Sequence, residues 1–317
     1  MHVGWNSSRF ADVLRFLLAA GERGERTALV TITDVVGRAS RAPGGHMAVS
    51  EGGAYLGSLS GGCVEAAVVG EAVRVIESGR AEVLRIGAGS PLIDVRLPCG
   101  GGMDLLIVPD PARDVLIRAQ EMLQSRESFS LSISLEQDST VEPGGSETGW
   151  QGDRFVVRHK PALRLLIVGQ GAETQSLARL AAAYGAEIGV FTPDSGTVEL
   201  VRAAGMEATQ LTSAAEPPAL EGDSWTALVM LFHDHDWETP LLRQALTQPF
   251  FFIGAMGSST THAERLGRLR AAGAAEVGLA RLVGPIGLIP ATRDPETLAL
   301  SALAQVADHW GRRHGGD

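Results

Sequence analysis

Two cysteines set in glycine are the residues of this chain best suited to chemistry. Cys63 lies in Gly57-Ser58-Leu59-Ser60-Gly61-Gly62-Cys63-Val64-Glu65, and Cys99 follows Pro98 and leads Gly100-Gly101-Gly102. A thiolate is a nucleophile and a soft-metal ligand, and uncrowded neighbours such as Gly61, Gly62, Gly100 and Gly101 let a ligand approach closely. Cys63 falls at the start of a predicted helix, whose terminus stabilises thiolate, so it is expected to be the more reactive thiol. Neither cysteine has a second one nearby, so no zinc site is expected. The plain alternative is two small buried hydrophobes.

The second half carries three further candidates. Gly169-Gln170-Gly171-Ala172-Glu173-Thr174 stands where a predicted strand turns into a helix, the place for a Rossmann phosphate-binding turn. Thr174 replaces the third glycine and is expected to loosen the helix–strand packing. The second strand ends Phe191-Thr192-Pro193, so the ribose-binding acid is displaced to Asp194. Gly254-Ala255-Met256-Gly257-Ser258-Ser259 is a second glycine loop between a strand and a helix, with positive φ expected at Gly257. His233-Asp234-His235-Asp236 follows another strand; on an extended stretch the two histidines point the same way, as a metal pair or as donors to a bound anion.

The elements that position these residues divide the chain near Lys160-Pro161. Residues 1–160 read as an N-terminal α/β (α+β-like) domain with a mixed sheet. Its predicted pieces include a helix from Ser8, a strand at Thr27–Val36, a hairpin about Glu51-Gly52-Gly53, and a helix from Val64. Glu136 to Asp153 is expected to be a mobile hairpin tip. Residues 161–317 alternate strand and helix, as a Rossmann-like doubly wound parallel sheet requires. Composition agrees with a folded chain: 317 residues, 44% hydrophobic and 20% charged. The net charge of −10 argues against broad binding to nucleic acid or an anionic membrane surface. No apolar run approaches a bilayer span and no export signal is evident, so a cytoplasmic protein with reduced thiols is expected.

These motifs together resemble a family. Arg41-x-Pro43-Gly44-x-x-Met47, the Gly57–Glu65 run and Cys99-Gly100-Gly101 are similar to the N-terminal domain of XdhC/CoxI proteins. Gly169-x-Gly171, His233-x-His235, Gly254-x-x-Gly257-Ser258, Pro285-Ile286-Gly287-Leu288 and Pro295-Glu296 resemble that family's Rossmann domain. The resemblance implies an accessory protein, a chaperone more than a turnover enzyme, for molybdenum hydroxylases of the xanthine dehydrogenase type. Such proteins bind the molybdenum cofactor (molybdopterin or its dinucleotide form), assist its sulfuration with a cysteine desulfurase, and hand it to the apo-enzyme. It further implies that Cys63 and Cys99 share a pocket and meet the metal head or carry sulfur. Gly169, Gly171, Gly257 and Ser258 would meet the phosphate tail, and a homodimer is suggested. Departures are Thr174, Thr192, Ser259 and Gln305, where the family usually has Gly, Asp, Arg and Glu. Two readings from other classes are an NAD(P)-dependent oxidoreductase using the Rossmann half and a metal-dependent hydrolase built on His233 and His235.

Overall fold

The amphipathic stretch expected near the N-terminus forms helix α1, Phe10–Glu22, which buries Val13, Leu14, Leu17 and Leu18. The computed structural model describes residues 9–37, 41–62, 64–90, 100–136, 138–232, 234–290 and 293–315. Contacts cluster into two units that divide after Pro161. In the first, α1 is followed by β1 (Thr27–Val36), β2 (His46–Ser50), β3 (Tyr55–Gly57) and α2 (Glu65–Ser78). Then come β4 (Glu82–Gly87), β5 (Gly102–Pro109) and α3 (Arg113–Gln124).

These strands form one sheet in the order β3-β2-β1-β5-β4. Side chains alternate across it, as strand geometry dictates. Leu29, Ala48, Leu106 and Val108 face one core, shared with α1 and α3. Val30, Ile32, Met47, Leu105 and Ile107 face the other, covered by Val68, Ala72, Val75 and Ile76 of α2. Each buried Val, Leu, Ile or Met among them contributes about 1.5–3 kcal/mol relative to exposure.

A second sheet completes the unit: β6 (Phe129–Ser134), β7 (Thr140–Pro143), β8 (Gly149–Gln151) and β9 (Arg154–His159), in the order β7-β6-β9-β8. Two expectations need correction here. The α/β class holds, but the sheet expected to be mixed is antiparallel at every pairing, and so is the second. Its strands are joined by hairpins or by helices that return to pair antiparallel, and no right-handed crossover places two of them parallel. The supposed mobile tip between Glu136 and Asp153 contains β7 and β8, which pair with β6 and β9.

The second unit begins with β10 (Arg164–Gly169), α4 (Gly171–Tyr184), β11 (Glu187–Thr192), α5 (Ser195–Ala203) and β12 (Glu207–Gln210). It continues with β13 (Thr226–Leu231), α6 (His235–Thr247), β14 (Phe252–Ala255), α7 (Ser259–Ala271), α8 (Glu276–Leu279), β15 (Leu282–Val283) and α9 (Pro295–His314). All its strands are parallel, in the order β12-β11-β10-β13-β14-β15. Leu165, Ile167, Ala227 and Val229 pack against α4, α5 and α9 on one face. Leu166, Val168, Leu228 and Met230 pack against α6, α7 and α8 on the other. This is the doubly wound Rossmann-type sheet that alternating strands and helices predict. The strand order reverses between β10 and β13, which is where such sheets open a crevice for ligands. Among the described residues, no helix is long and apolar enough to cross a membrane.

Candidate functional site

Strand register in the first unit gathers its glycine-rich connections at one end of the sheet. Val36 pairs with Gly102, Gly87 with Gly102, and Met47 with Gly57. The chain therefore leaves β1, leaves β3 and enters β5 at the same end. A Cβ on Gly37 would lie 3.3 Å from the Gly101 Cα, so these two connections touch backbone to backbone. Gly101 is buried and Gly100 is exposed with φ +71°. Gly61 and Gly62, at φ +79° and +108°, are exposed, with no atom of the described residues within 4 Å of where a Cβ would stand. Cys63, Cys99 and His233 lie outside the described residues.

The loop before α2 is organised around a residue to which the sequence assigned no role. Glu65 is only 2% exposed. Its Oε1 accepts the Leu59 and Ser60 N–H groups, both at 3.0 Å, and the Ser58 hydroxyl at 3.1 Å. Its Oε2 accepts the Ser60 hydroxyl at 2.9 Å and the Val64 N–H at 3.2 Å. Burial alone would raise the carboxyl pKa, but the donors, Ser60 foremost, outweigh it and hold the group at about 2.

A second unexpected feature of this unit is a stack of buried rings. His46 and His159 lie 5.2 Å apart, and Phe10 packs against both at 4.6 and 4.0 Å. Thr31 Oγ1 meets His46 Nδ1 at 2.9 Å, while Nε2 of each histidine is buried with no hydrogen-bond partner among the described residues. Burial pushes His46 down to about 3. It lowers His159 as well, with help from His46.

In the second unit, a cavity of about 990 Å³ opens beyond the C-terminal ends of β13 and β14. His235, Glu238, Gly257, Ser258, Ser259 and Arg293 line it. Ser258 caps α7, its Oγ accepting the Thr261 N–H at 3.1 Å. Gly257 has the expected positive φ, +136°. Beneath these residues Glu238 and Arg265 form an ion pair, each side chain 2% exposed. Arg265 Nη2 also donates to the Met256 carbonyl at 2.6 Å, tying the glycine loop to α7. Burial, then neighbouring Arg268, lowers Arg265 to about 10, so it stays charged at neutral pH.

His235 is the first residue of α6, not part of an extended stretch, because Asp234 caps the helix by accepting the Asp236 N–H at 2.9 Å. The expected alternation with His233 therefore does not apply to it. Arg268 Nη2 lies 3.0 Å from His235 Nδ1, and Glu238 Oε2 lies 3.2 Å from the same nitrogen. Nδ1 thus faces both a group that can only donate and a carboxylate that can only accept, and which of the two it serves depends on the ring tautomer. Among the described residues, no three His, Cys, Asp or Glu side chains converge to hold a metal.

Not all the predicted glycines reach this cavity. Gly169 ends β10, where a Cβ would lie 2.7 Å from Thr174 Oγ1 and 2.8 Å from Leu231 Cβ. Thr174, expected to loosen the turn, is fully buried and donates to the Gln170 carbonyl at 3.2 Å. Gly171 opens α4 at φ +79°, and Gly254 sits in β14, where a Cβ would meet Ile286 Cδ1 at 2.6 Å. None of the three lines the cavity, whereas Gly257, Ser258 and His235 do. The acid at the end of β11 is already committed: Asp194 caps α5, accepting the Gly196 and Thr197 N–H groups at 3.2 and 3.0 Å. Glu173, on the first turn of α4, contributes a carboxylate to the cavity wall.

Comparison with known proteins agrees with this architecture. Residues 165–306 match the XdhC Rossmann domain, and residues 20–87 match the XdhC and CoxI family. The chain is 36% identical over 298 residues to the molybdenum cofactor insertion chaperone PaoD of Escherichia coli (strain K12), covering 93% of this chain and 87% of that protein. It is 25% identical over 228 residues to the uncharacterized protein YqeB of the same organism, covering 68% of this chain and 39% of YqeB. A crystal structure described as a xanthine dehydrogenase from Bacillus halodurans shares the fold, with a TM-score of 0.75 at 20% identity over 96% of this chain and 97% of that one. The chain belongs to the XdhC and CoxI family.

Proposed function

We infer that this protein is an accessory factor for molybdenum-cofactor insertion, a carrier that serves an apo molybdenum hydroxylase of the xanthine dehydrogenase type. The observation that carries the reading is its 36% identity, across 93% of the chain, to a molybdenum cofactor insertion chaperone. The cofactor is cargo, and the described residues suit it. A volume of about 990 Å³ is at the upper end of small-molecule pockets. Ser258 and Ser259 at the α7 terminus, with Arg293, offer donors to a phosphate or pyrophosphate tail. Glu173 disfavours that tail at the α4 turn, which moves the expected contact from Gly169 and Gly171 towards Gly257 and Ser258.

In residues 1–160, Cys63 and Cys99 meet the metal head or carry sulfur during sulfuration with a cysteine desulfurase, and Gly61, Gly62, Gly100 and Gly101 leave room for that approach. The carrier works in the cytoplasm, where thiols remain reduced, and as a dimer when it docks its partners.

Purified protein mixed with released cofactor, then passed through gel filtration with molybdenum analysis, tests the reading. Molybdenum co-eluting with the protein is the expected result, and molybdenum confined to the small-molecule fractions overturns it. Titration with NADH and NADPH separates the oxidoreductase reading; Asp194 is occupied as a helix cap, so no tight binding is expected.

A further inference from the structure

We propose that Glu173 selects the ligand of the second unit's cavity. Its carboxylate accepts the paired N–H donors of an aminopyrimidinone ring, the edge that pterins and guanine share, while the ligand's phosphate meets the α7 terminus. This deepens the carrier reading, on which it rests for naming the pterin of the cargo as that ring.

Three acids of the described residues line the cavity, and two of them are committed. Glu238 is buried against Arg265, and Asp294 caps α9 by accepting the Thr297 N–H at 2.8 Å. Glu173 is half-buried on the first turn of α4, and among the described residues no hydrogen bond or ion pair engages its carboxylate. A carboxylate at this turn repels the phosphate that a Rossmann helix terminus ordinarily takes, so this wall calls for a ligand group that donates. Two parallel N–H groups on one planar edge match the two oxygens of a carboxylate, as a guanidinium does. The ring N–H and neighbouring amino group of an aminopyrimidinone are such a pair. Adenine and cytosine place an acceptor beside their amino group, and the carboxylate would face it.

Strand register sets the span of the site. Gly169 pairs with Leu231 and Met230 with Ala255, so β10, β13 and β14 end level. At the usual strand spacing the ends of β10 and β14 stand about 10 Å apart, with β13 between them. That is the scale of a fused bicyclic ring bearing a short phosphorylated side chain. Helix α4 packs on one face of the sheet and α7 on the other, so Glu173 and Ser258 flank the crevice from opposite sides. Phe232, Met256, Ile286 and Ile289 line the same cavity and offer apolar surface to the faces of a flat heterocycle. The ligand is held at both ends: a donor edge at α4 and an anion at α7, where Ser258, Ser259 and Arg293 stand.

The test uses the full chain and three probes without molybdenum: neopterin phosphate, its lumazine counterpart, in which an oxo group replaces the amino group, and GMP. Ring fluorescence follows the first two and calorimetry the third. Glu173→Gln keeps the side chain's size but removes one of its two acceptors, and is expected to weaken neopterin phosphate at least about tenfold. Pyrophosphate has no donor edge and should bind the variant as well as the parent or better, an opposite response that a merely structural role would not give. The parent should prefer neopterin phosphate to the lumazine by a similar factor. Neopterin phosphate bound equally by parent and variant, or no more tightly than the lumazine, overturns the proposal, as does a parent that binds neither neopterin phosphate nor GMP. If circular dichroism shows the variant unfolded, the comparison of neopterin phosphate with the lumazine in the parent decides. GMP held more tightly than neopterin phosphate keeps the edge and moves its source from the cargo to a guanine nucleotide. Failure of molybdenum co-elution alone would overturn the carrier reading and leave these titrations standing, and the reverse.

Discussion

Arg265 holds the Met256 carbonyl with one nitrogen and pairs with buried Glu238 through another, so one guanidinium joins the loop after β14 to helix α6. Glu238 in turn meets His235 at 3.2 Å. The cavity's two rims are thus held by the same buried pair. Neither residue stands out in sequence, since they are 27 positions apart and charged residues usually lie at the surface.

Arg265→Met is expected to cost about 3–5 kcal/mol, because it leaves Glu238 buried without its main partner. Glu238→Leu combined with Arg265→Met should cost less than the sum of the two single changes. Urea denaturation, with hydrogen exchange in peptides from α6 and α7, measures both. Equal and additive losses would show that the two side chains act independently.

The stacked histidines predict a pH dependence of the first unit. A histidine with a depressed folded pKa binds its proton more readily when unfolded, so stability rises with pH between the folded and unfolded values. For His46 that window runs from about 3 to about 6.5. Between pH 4.5 and 6.5, above most carboxylate titrations, the slope should approach about 1.4 kcal/mol per pH unit for each such histidine. His159→Phe, which keeps a ring beside Phe10, should flatten it. Urea midpoints across this range check the claim, and a slope untouched by the substitution counts against it.

Glycines in the Gly57–Gly62 run should differ sharply in tolerance. A Cβ on Gly57, at φ +118°, would lie 2.7 Å from both the His46 carbonyl oxygen and the Met47 Cα. Gly57→Ala is therefore expected to lose several kcal/mol or fail to fold, because backbone cannot step aside. Gly61→Ala meets no atom of the described residues within 4 Å and bears the strain of its left-handed turn, about 1 kcal/mol. Thermal melts of the two variants make the comparison, and similar losses would contradict it.

Asp194→Ala should destabilise α5 by about 1 kcal/mol through loss of its cap. The cofactor co-elution assay should be unaffected, since no wall of the cavity comes from α5 among the described residues. A fall in cofactor retention without loss of stability would place a ligand on the β11 side instead.

Much of the fold was legible where burial imposes a period. β1 runs from Thr27 to Val36 as its β-branched residues suggested, and the second unit's alternation of strand and helix gave the parallel sheet. β7 and β8 were missed because Thr140–Pro143 and Gly149–Gln151 are short, mostly exposed and without alternation. β15 is two residues long and hidden in a Gly/Pro-rich segment. The site was legible as motifs but not as roles. Glu65 was visible at the end of the Gly57 run, yet only the fold shows its carboxylate turned back into that run. At Gly254 and Gly169 close packing against Ile286 or Thr174 itself demands glycine, a cause that the motif alone does not separate from ligand contact.

The placement of β1 between β2 and β5 has a consequence for the order of events at the ribosome. β2, β3 and α2 emerge before β5, so the young chain can form a three-stranded hairpin sheet and lay Val68 and Ala72 over Val30, Ile32 and Met47. The opposite edge of β1 must wait until Gly102–Pro109 has been made. During that interval Leu29 and Val30 lie beside an unpaired edge, the kind of surface that recruits foreign strands. Vectorial synthesis thus makes early packing of α2 a safeguard for the nascent protein, before its second half has been made.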